Sequence, residues 1–392
     1  MSQEQTQLLI LGAGAAGLFA AIAAASRGLA VTVVDHARKP GRKIAISGGG
    51  RCNVTNTVVE ASDYVCGNPH FVKSALARWT PQDMRRWLQD RGILLDEEAG
   101  GKLFCQQGAG AMVQCLWDEV RGLGVRLALN TVVRGVQREG GGFVVTTDTG
   151  TLRAPYLLVA TGGLAWPQLG ATGLGHDLAR QFGLSVTPRR PGLVPLLAPQ
   201  DQQALCRELA GISLPVRIAG RPVIAGDLLF THQGLSGPAI LDVSLFWKEG
   251  TSLTIDLAPG LDVAALLRGA PRLEVRNALA RAMPARLAAA LCQGLGLGGQ
   301  AGQCSNKMLQ LLEDAIHRFP FAPAATAGHG KAEVTLGGVD VSRIDSKTMQ
   351  CKDVPGLLFA GEVLDVTGRL GGFNLHWAWA SGHAAGQAGV TA

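Results

Sequence analysis

A chain of 392 residues with 47% hydrophobic and 17% charged residues buries the core of two or three domains, which excludes extended disorder. A formal net charge of +6 permits a polyanionic partner, but no lysine or arginine run occurs, so a basic-tail protein is excluded and a basic enzyme is the plainer reading. Eight cysteines, at 52, 66, 105, 115, 206, 292, 304 and 351, form no CxxC and accompany no histidine cluster; reduced thiols are expected, with neither a disulfide framework nor a metal site.

The opening MSQEQTQ lacks the basic and apolar regions of a signal peptide, so a cytoplasmic location is expected. Leu8 to Ala25 is apolar but broken by three glycines, and predicts a strand, turn and helix rather than a membrane span. Leu8 to Leu11 reads as a buried parallel strand and Gly12-Ala13-Gly14-Ala15-Ala16-Gly17 as a GxGxxG turn. An alanine-rich helix follows to about Arg27, ended by Gly28. Ala30 to Val34 is a second buried strand, closed by Asp35. Strand, glycine turn, helix and an acid form the complete βαβ fingerprint of dinucleotide binding. The helix N-terminus offers unpaired N–H groups to a pyrophosphate, and Asp35, with His36 beside it, faces a ribose. FAD and NAD share this fold, so the fingerprint leaves the choice open.

Lys39 to Lys43 is a basic turn that is either a solvated loop or a pair, Arg42 and Lys43, meeting phosphates or flavin carbonyls. Ile44 to Asn56, reading IAISGGGRCNVTN, follows. Ser47, Gly48, Gly49 and Gly50 leave bare backbone that can approach a flat ring, and Arg51, Cys52 and Asn53 crowd behind them. This stretch is expected along the reactive end of a flavin; the plainer alternative is a surface loop.

Asn68-Pro69 predicts a helix start running to about Trp79, and Thr80-Pro81 another running to Asp90. Leu103 to Gln107 reads as a strand and Gly110 to Leu123 as a helix. Val125 to Leu129, Thr131 to Gln137, Phe143 to Thr147 and Thr151 to Arg153 read as a β-meander. By analogy with flavin-dependent Rossmann proteins, Val133 neighbours the adenine. Tyr156 to Ala160 is a buried strand ending in Thr161-Gly162-Gly163, again a place for a pyrophosphate or ribose. Gly173, Gly175 and His176 lead into a helix ending near Gly183.

Prolines at 188, 191 and 195 mark a boundary. Beyond it Leu193 to Leu197, Leu214 to Ile218, Val223 to Ile224, Asp227 to Phe230, Ala239 to Val243 and Leu253 to Leu257 read as strands of a small barrel or sheet. Thr231 to Pro238 is a polar loop. Val263 to about Ile316 is helical in pattern, broken at Pro271, Pro284 and Gly294 to Gly302. Ala332 to Leu336 and Leu357 to Ala360 are strands, the latter ending in Gly361-Glu362, where by analogy with flavin proteins of this architecture an acid lies against the ribityl chain. Gly371, Gly372, Phe373, Asn374 and Leu375 open a C-terminal helix with Asn374 as N-cap, its N-terminus aimed at the flavin's N1–C2=O end. The expected fold is α/β: a Rossmann-type domain over 1–190 and 331–392, interrupted over 191–330 by an inserted β-barrel and helical, substrate-facing region.

GRKIAISGGGRCNVTN, LLFTHQGLSGPAIL, AEVTLGGVD and GLLFAGEVLDVTGRLGGFNLHWAWASGHAAG occur in that order over nearly the whole chain. They resemble the BaiN/RdsA-type FAD-dependent oxidoreductases, also called YhiN-like or aminoacetone oxidase-like flavoproteins. The resemblance implies FAD in a glutathione-reductase-like Rossmann domain and NAD(P)H as a transient reductant. It further implies reduction of an activated C=C bond. One branch converts a uridine of large-subunit ribosomal RNA to dihydrouridine, and another reduces bile-acid enones. The chain departs from the family pattern at LGATGLGH, where Leu174 replaces an acid and His176 a tyrosine, and at Phe373, His376 and His383.

Such a reduction needs a proton donor within reach of the second carbon, and Cys52, His232 and His376 are the expected donors. For an RNA or ribosome-precursor substrate, arginines at 189, 190, 217, 221, 268, 272, 276, 281 and 286 form either the docking surface or a solvated face. A small-molecule enone reductase or amine oxidase, and a flavin-binding protein without turnover, are the competing readings. No membrane partner is expected, and nothing in the sequence fixes the oligomeric state.

Overall fold

The computed structural model describes residues 6–388; residues 1–5 of the MSQEQTQ segment and residues 389–392 lie outside it. The chain forms two compact units, one from residues up to Arg190 together with those from Val334, the other from Pro191–Glu333.

The first unit is built on a five-stranded parallel sheet in the order Leu357–Phe359, Tyr156–Val159, Leu8–Leu11, Val31–Val34, Arg126–Ala128. Its first four strands are almost wholly buried, because the helix Ala15–Ala25 and strands of an antiparallel meander pack against them. Arg126–Ala128 corrects the four-strand meander. It follows the helix Gly108–Gly122 and pairs parallel to Val31–Val34, as a crossover dictates. The meander keeps three antiparallel strands, Val133–Glu139, Gly142–Thr147 and Gly150–Ala154.

The helix Ala15–Ala25 packs along the C-terminal helix Phe373–Gly386. A Cβ at Gly382 or Gly386 would fall 2.5 Å from the carbonyl of Ala16 or Ala20, so small residues on both sides let the backbones touch. Around them Phe19 meets Trp79, Trp87 and Trp379 edge-on, with centroids 4.9, 5.2 and 5.6 Å away. The helix Pro81–Gln89 starts at a Thr80–Asp83 capping box, as its sequence predicts. The preceding helix begins only at Lys73. Asn68 Oδ1 accepts from His70 N at 3.0 Å and closes a turn instead of capping a helix.

The second unit holds a seven-stranded antiparallel sheet in the order Phe319–Phe321, Leu253–Asp256, Ser213–Ile218, Ile224–Thr231, Gly234–Ser236, Leu196–Leu197, Ala325–Thr326. Its edge strands do not pair with each other among the described residues, so the ladder is open where a barrel was expected. The apolar run expected as a further strand is the helix Pro238–Val243. Gly237, at φ 90°, turns the chain, and Pro238 sits at the first helical position. Helices Val263–Arg268, Val275–Leu279, Ala285–Gly294 and Asn306–His317 complete a separate core with the sheet.

Candidate functional site

The site is assembled at the carboxyl ends of the parallel strands of the first unit, where open α/β sheets place their ligands. Gly12 leaves Leu8–Leu11 at φ 109°, donates its N–H to Val34 O at 2.8 Å, and passes so close to the next strand that a Cβ would fall 2.5 Å from Ala160 O. A Cβ at Gly17 would fall 1.9 Å from Gly12 O, so the helix can seat on the turn only with glycine there. Gly14 is different, because nothing lies within 4 Å of its Cβ position. That open space fronts the first turn of the helix, where the N–H groups of Ala15, Ala16 and Gly17 have no intrahelical partner. It suits a pyrophosphate. Asp35 accepts from Ala13 N at 2.6 Å and from Ala37 N at 2.7 Å, one bond to each oxygen. Each oxygen keeps a lone pair for a ribose hydroxyl. His36 is exposed beside it, against Gly170. Thr131 N donates to Asp35 O at 2.9 Å, which ties the segment leading to Val133 to this corner.

Thr161-Gly162 and Gly361-Glu362 leave the two neighbouring strands of the same sheet. A Cβ at Gly361 would fall 2.8 Å from the Ala16 Cβ. Gly361 N donates to Ser381 Oγ at 3.0 Å, and Gly361 O accepts from Trp377 Nε1 at 3.2 Å. Glu362 pairs with Lys43 and accepts from Thr335 N at 2.9 Å. Arg42 is exposed at the first position of the short helix Arg42–Ile46. Gly48, Gly49 and Gly50 all lie in the left-handed region, at φ 56°, 66° and 86°, and all are exposed. This is conformational freedom used to present bare backbone. Ser47 Oγ donates to Ile44 O at 2.8 Å, and Arg51 lies 4.1 Å over the Phe104 ring while pairing with Glu98. The Asn53 amide bridges Thr55 O and Gly372 N, each at 3.1 Å, and so joins the glycine stretch to the start of the C-terminal helix.

Three expectations change. Cys52 is fully buried, and burial pushes its thiol up to about 12 despite a hydrogen bond with Ser47. The thiol thus stays protonated and does not face solvent, and Cys52 packs at φ 57° behind the glycines. His376 is also fully buried, with Nδ1 2.8 Å from Thr55 Oγ1, and burial holds its pKa down at about 4. It is a neutral core histidine. Asn374 is not the cap: Gly372, at φ 95°, occupies that position. The Asn374 amide instead clamps Gly368, accepting from its N and donating to its O, both at 2.8 Å. Its backbone, with those of Phe373 and Leu375, forms the first helical turn. His232 belongs to the second unit, exposed on the two-residue turn between Ile224–Thr231 and Gly234–Ser236.

Sequence reading missed two supporting side chains. Thr335 Oγ1 accepts from Leu164 N at 2.7 Å and Ala165 N at 3.0 Å, fixing the loop after Thr161. Ser381 receives Gly361 N and donates to Trp377 O at 2.6 Å. Neither stands out among ordinary strand threonines and helix serines. His176 is fully buried near Glu362, with Nδ1 3.5 Å from the Arg189 guanidinium and its pKa lowered by burial to about 4.

The chain's own residues therefore fit an FAD: a glycine-lined helix N-terminus, an anchored acid, and bare glycine backbone further along. The family description HI0933-like protein Rossmann domain matches residues 6–388. A ribosomal RNA dihydrouridine synthase of Escherichia coli is 42% identical over 395 residues, covering 98% of each chain. One from Haemophilus influenzae is 43% identical over 392 residues, covering 97% of this chain and 98% of that protein. The open conformation of a flavocytochrome c3 fumarate reductase shares the fold at TM-score 0.50 and 20% identity, covering 98% of this chain and 78% of that one. With a match across all the described residues and more than two fifths identity end to end, this chain belongs to the HI0933-like family of FAD-dependent Rossmann flavoproteins, the family its four motifs resemble.

Proposed function

We propose that the chain reduces a uridine of large-subunit ribosomal RNA to dihydrouridine in the cytoplasm, drawing electrons from NAD(P)H. The observation that carries this reading is full-length identity of 42% to a ribosomal RNA dihydrouridine synthase, with the glycine turns at 12–17 and 48–50 intact. When bound, FAD would supply hydride chemistry for the uracil C5=C6 bond, with NAD(P)H as the electron source, and a proton would complete the addition of two hydrogens.

The chain's residues have separate tasks. Gly12 to Gly17 and Asp35 hold the ADP half, and Val133 lines the adenine. Thr161, Gly162 and the Lys43–Glu362 pair hold the middle of the cofactor. The Ser47 to Asn53 stretch presents its glycine backbone to the isoalloxazine, and the helix that Gly372 caps offers the N–H groups of Phe373, Asn374 and Leu375, where a helix N-terminus favours negative charge on the reduced ring. Of the three side chains expected to deliver the proton, only His232 is exposed, and its role is tested by substitution. His232→Gln lowers kcat with little change in FAD content if that assignment holds; unchanged kcat removes it. The function itself is tested by counting dihydrouridine in large-subunit ribosomal RNA from a strain lacking the gene. Loss of one dihydrouridine, restored by the gene, is expected; an unchanged count contradicts the proposal.

A further inference from the structure

The basic residues of the second unit are unevenly placed. Residues 263–307 carry Arg268, Arg272, Arg276, Arg281, Arg286 and Lys307 against a single acid, Glu274, whereas acids outnumber bases over 191–262. All six cationic side chains are exposed. Arg276 is paired with Glu274 at 2.7 Å, and Arg286 donates to the carbonyls of Glu208 and Ala210 at 3.1 and 3.2 Å. Arg268, Arg272, Arg281 and Lys307 have no ion-pair partner among the described residues. The elements that carry this charge are one packed layer. Helices Val263–Arg268, Val275–Leu279 and Ala285–Gly294 share a core with Leu267, Leu279 and Leu287 fully buried. The glycine-rich loop after them is stitched to the same layer, with Val275 N donating to Gly299 O at 3.1 Å and Gly302 N to Pro271 O at 2.9 Å. Gly298 is exposed, with nothing within 4 Å of its Cβ position, beside a shallow depression bounded by Glu274, Arg276 and Leu297.

Like charges carried on one layer without counter-charges, as at Arg268, Arg272, Arg281 and Lys307, repel. An anionic partner relieves that repulsion. Arginine outnumbers lysine five to one in this stretch. Its planar guanidinium matches phosphate oxygens two at a time, and bare glycine amides admit a phosphate closely. We propose that the helical layer 263–307 is the surface on which the chain grips the phosphate backbone of its RNA substrate. This rests on the ribosomal RNA reading above. Phosphate contacts hold the strand in register while the target base is unstacked, and they carry no sequence information themselves.

The test compares the FAD-loaded wild type with Arg268→Glu/Arg272→Glu/Arg281→Glu, a change at exposed unpaired positions expected to leave FAD content and melting temperature unaltered. Affinity for protein-free large-subunit ribosomal RNA is measured from 50 to 200 mM KCl, with phosphatidylserine vesicles as a second probe. The variant is expected to bind RNA about tenfold or more weakly, with a log–log salt slope shallower by about 2. Unchanged RNA affinity and slope overturn the proposal, as does tighter wild-type binding to the vesicles than to RNA. Dihydrouridine counts in the complemented deletion strain separate the two claims. If wild type restores dihydrouridine and the variant binds RNA unchanged, the surface is wrong and the function stands. If wild type neither restores it nor binds RNA, the function falls and this surface with it.

Discussion

The two units differ in what they present to solvent. The first presents backbone: glycines and helix starts, placed by contacts so close that a single methyl group would collide at Gly12 or Gly17. The second presents side chains: long exposed arginines on a small helical layer, with open space around the glycines at 296 and 298. A cofactor of fixed shape rewards the first arrangement, because rigid amides lose no freedom on binding. A flexible charged polymer rewards the second, because many separate contacts each contribute a little.

The sharpest way to break this contrast is to add one methyl group to each unit. Gly17→Ala forces the helix Ala15–Ala25 off the turn and is expected to cost about 3 kcal/mol or more and to release FAD, read by flavin absorbance of the purified protein and by its denaturation midpoint. Retention of full flavin would mean the turn is not as tightly built as the geometry requires. Second in size is acid sensitivity of the first unit. His176 and His376 have folded pKa values lowered by burial to about 4, from an unfolded value of 6.5. Above pH 6.5 both are neutral folded or unfolded, so they contribute no pH dependence. As pH falls from 6.5 toward 4 the unfolded chain takes up protons that the folded chain refuses, and stability drops by about 2–3 kcal/mol for each such histidine. His376→Gln should flatten part of that drop in urea titrations at pH 7 and pH 5; an unchanged difference would show that His376 titrates normally.

Next comes Thr80→Ala, which removes a capping box and is expected to cost about 1 kcal/mol in the same titration without affecting flavin content. Cys52→Ala should leave kcat within about twofold, since the thiol is fully buried behind Gly48 to Gly50 and does not face solvent; a loss of kcat with full flavin would make it the donor. Smallest of all is Gly298→Ala in the second unit, expected within about 0.5 kcal/mol of wild type, because its Cβ would meet nothing.

The first unit was more legible than the second, and the reason is physical. The fingerprint at Leu8 to Asp35 reads directly because the turn tolerates only glycine at 12 and 17, so the geometry is written in residue type. Residues 239–243 carry no such mark. A short apolar run fits a buried strand or a helix equally, and Gly237-Pro238 decides for helix. At the C-terminal helix, Asn374 has the chemistry of a cap, yet the Asn53 amide and the left-handed Gly372 start the helix two residues earlier. Cys52 and His376 show a further reason: residue type announces chemistry but not burial, and both side chains lie at zero exposure. Thr335 and Ser381 act through single hydroxyls that leave no pattern at all.

The most direct test adds the purified, flavin-loaded protein and NADPH or NADH to large-subunit ribosomal RNA from a strain lacking the gene, then maps the RNA by mass spectrometry. The expected result is the gain of two hydrogens at one uridine, dependent on the nicotinamide and lost in Gly17→Ala. Flavin that NAD(P)H reduces while every uridine stays unchanged would contradict the account.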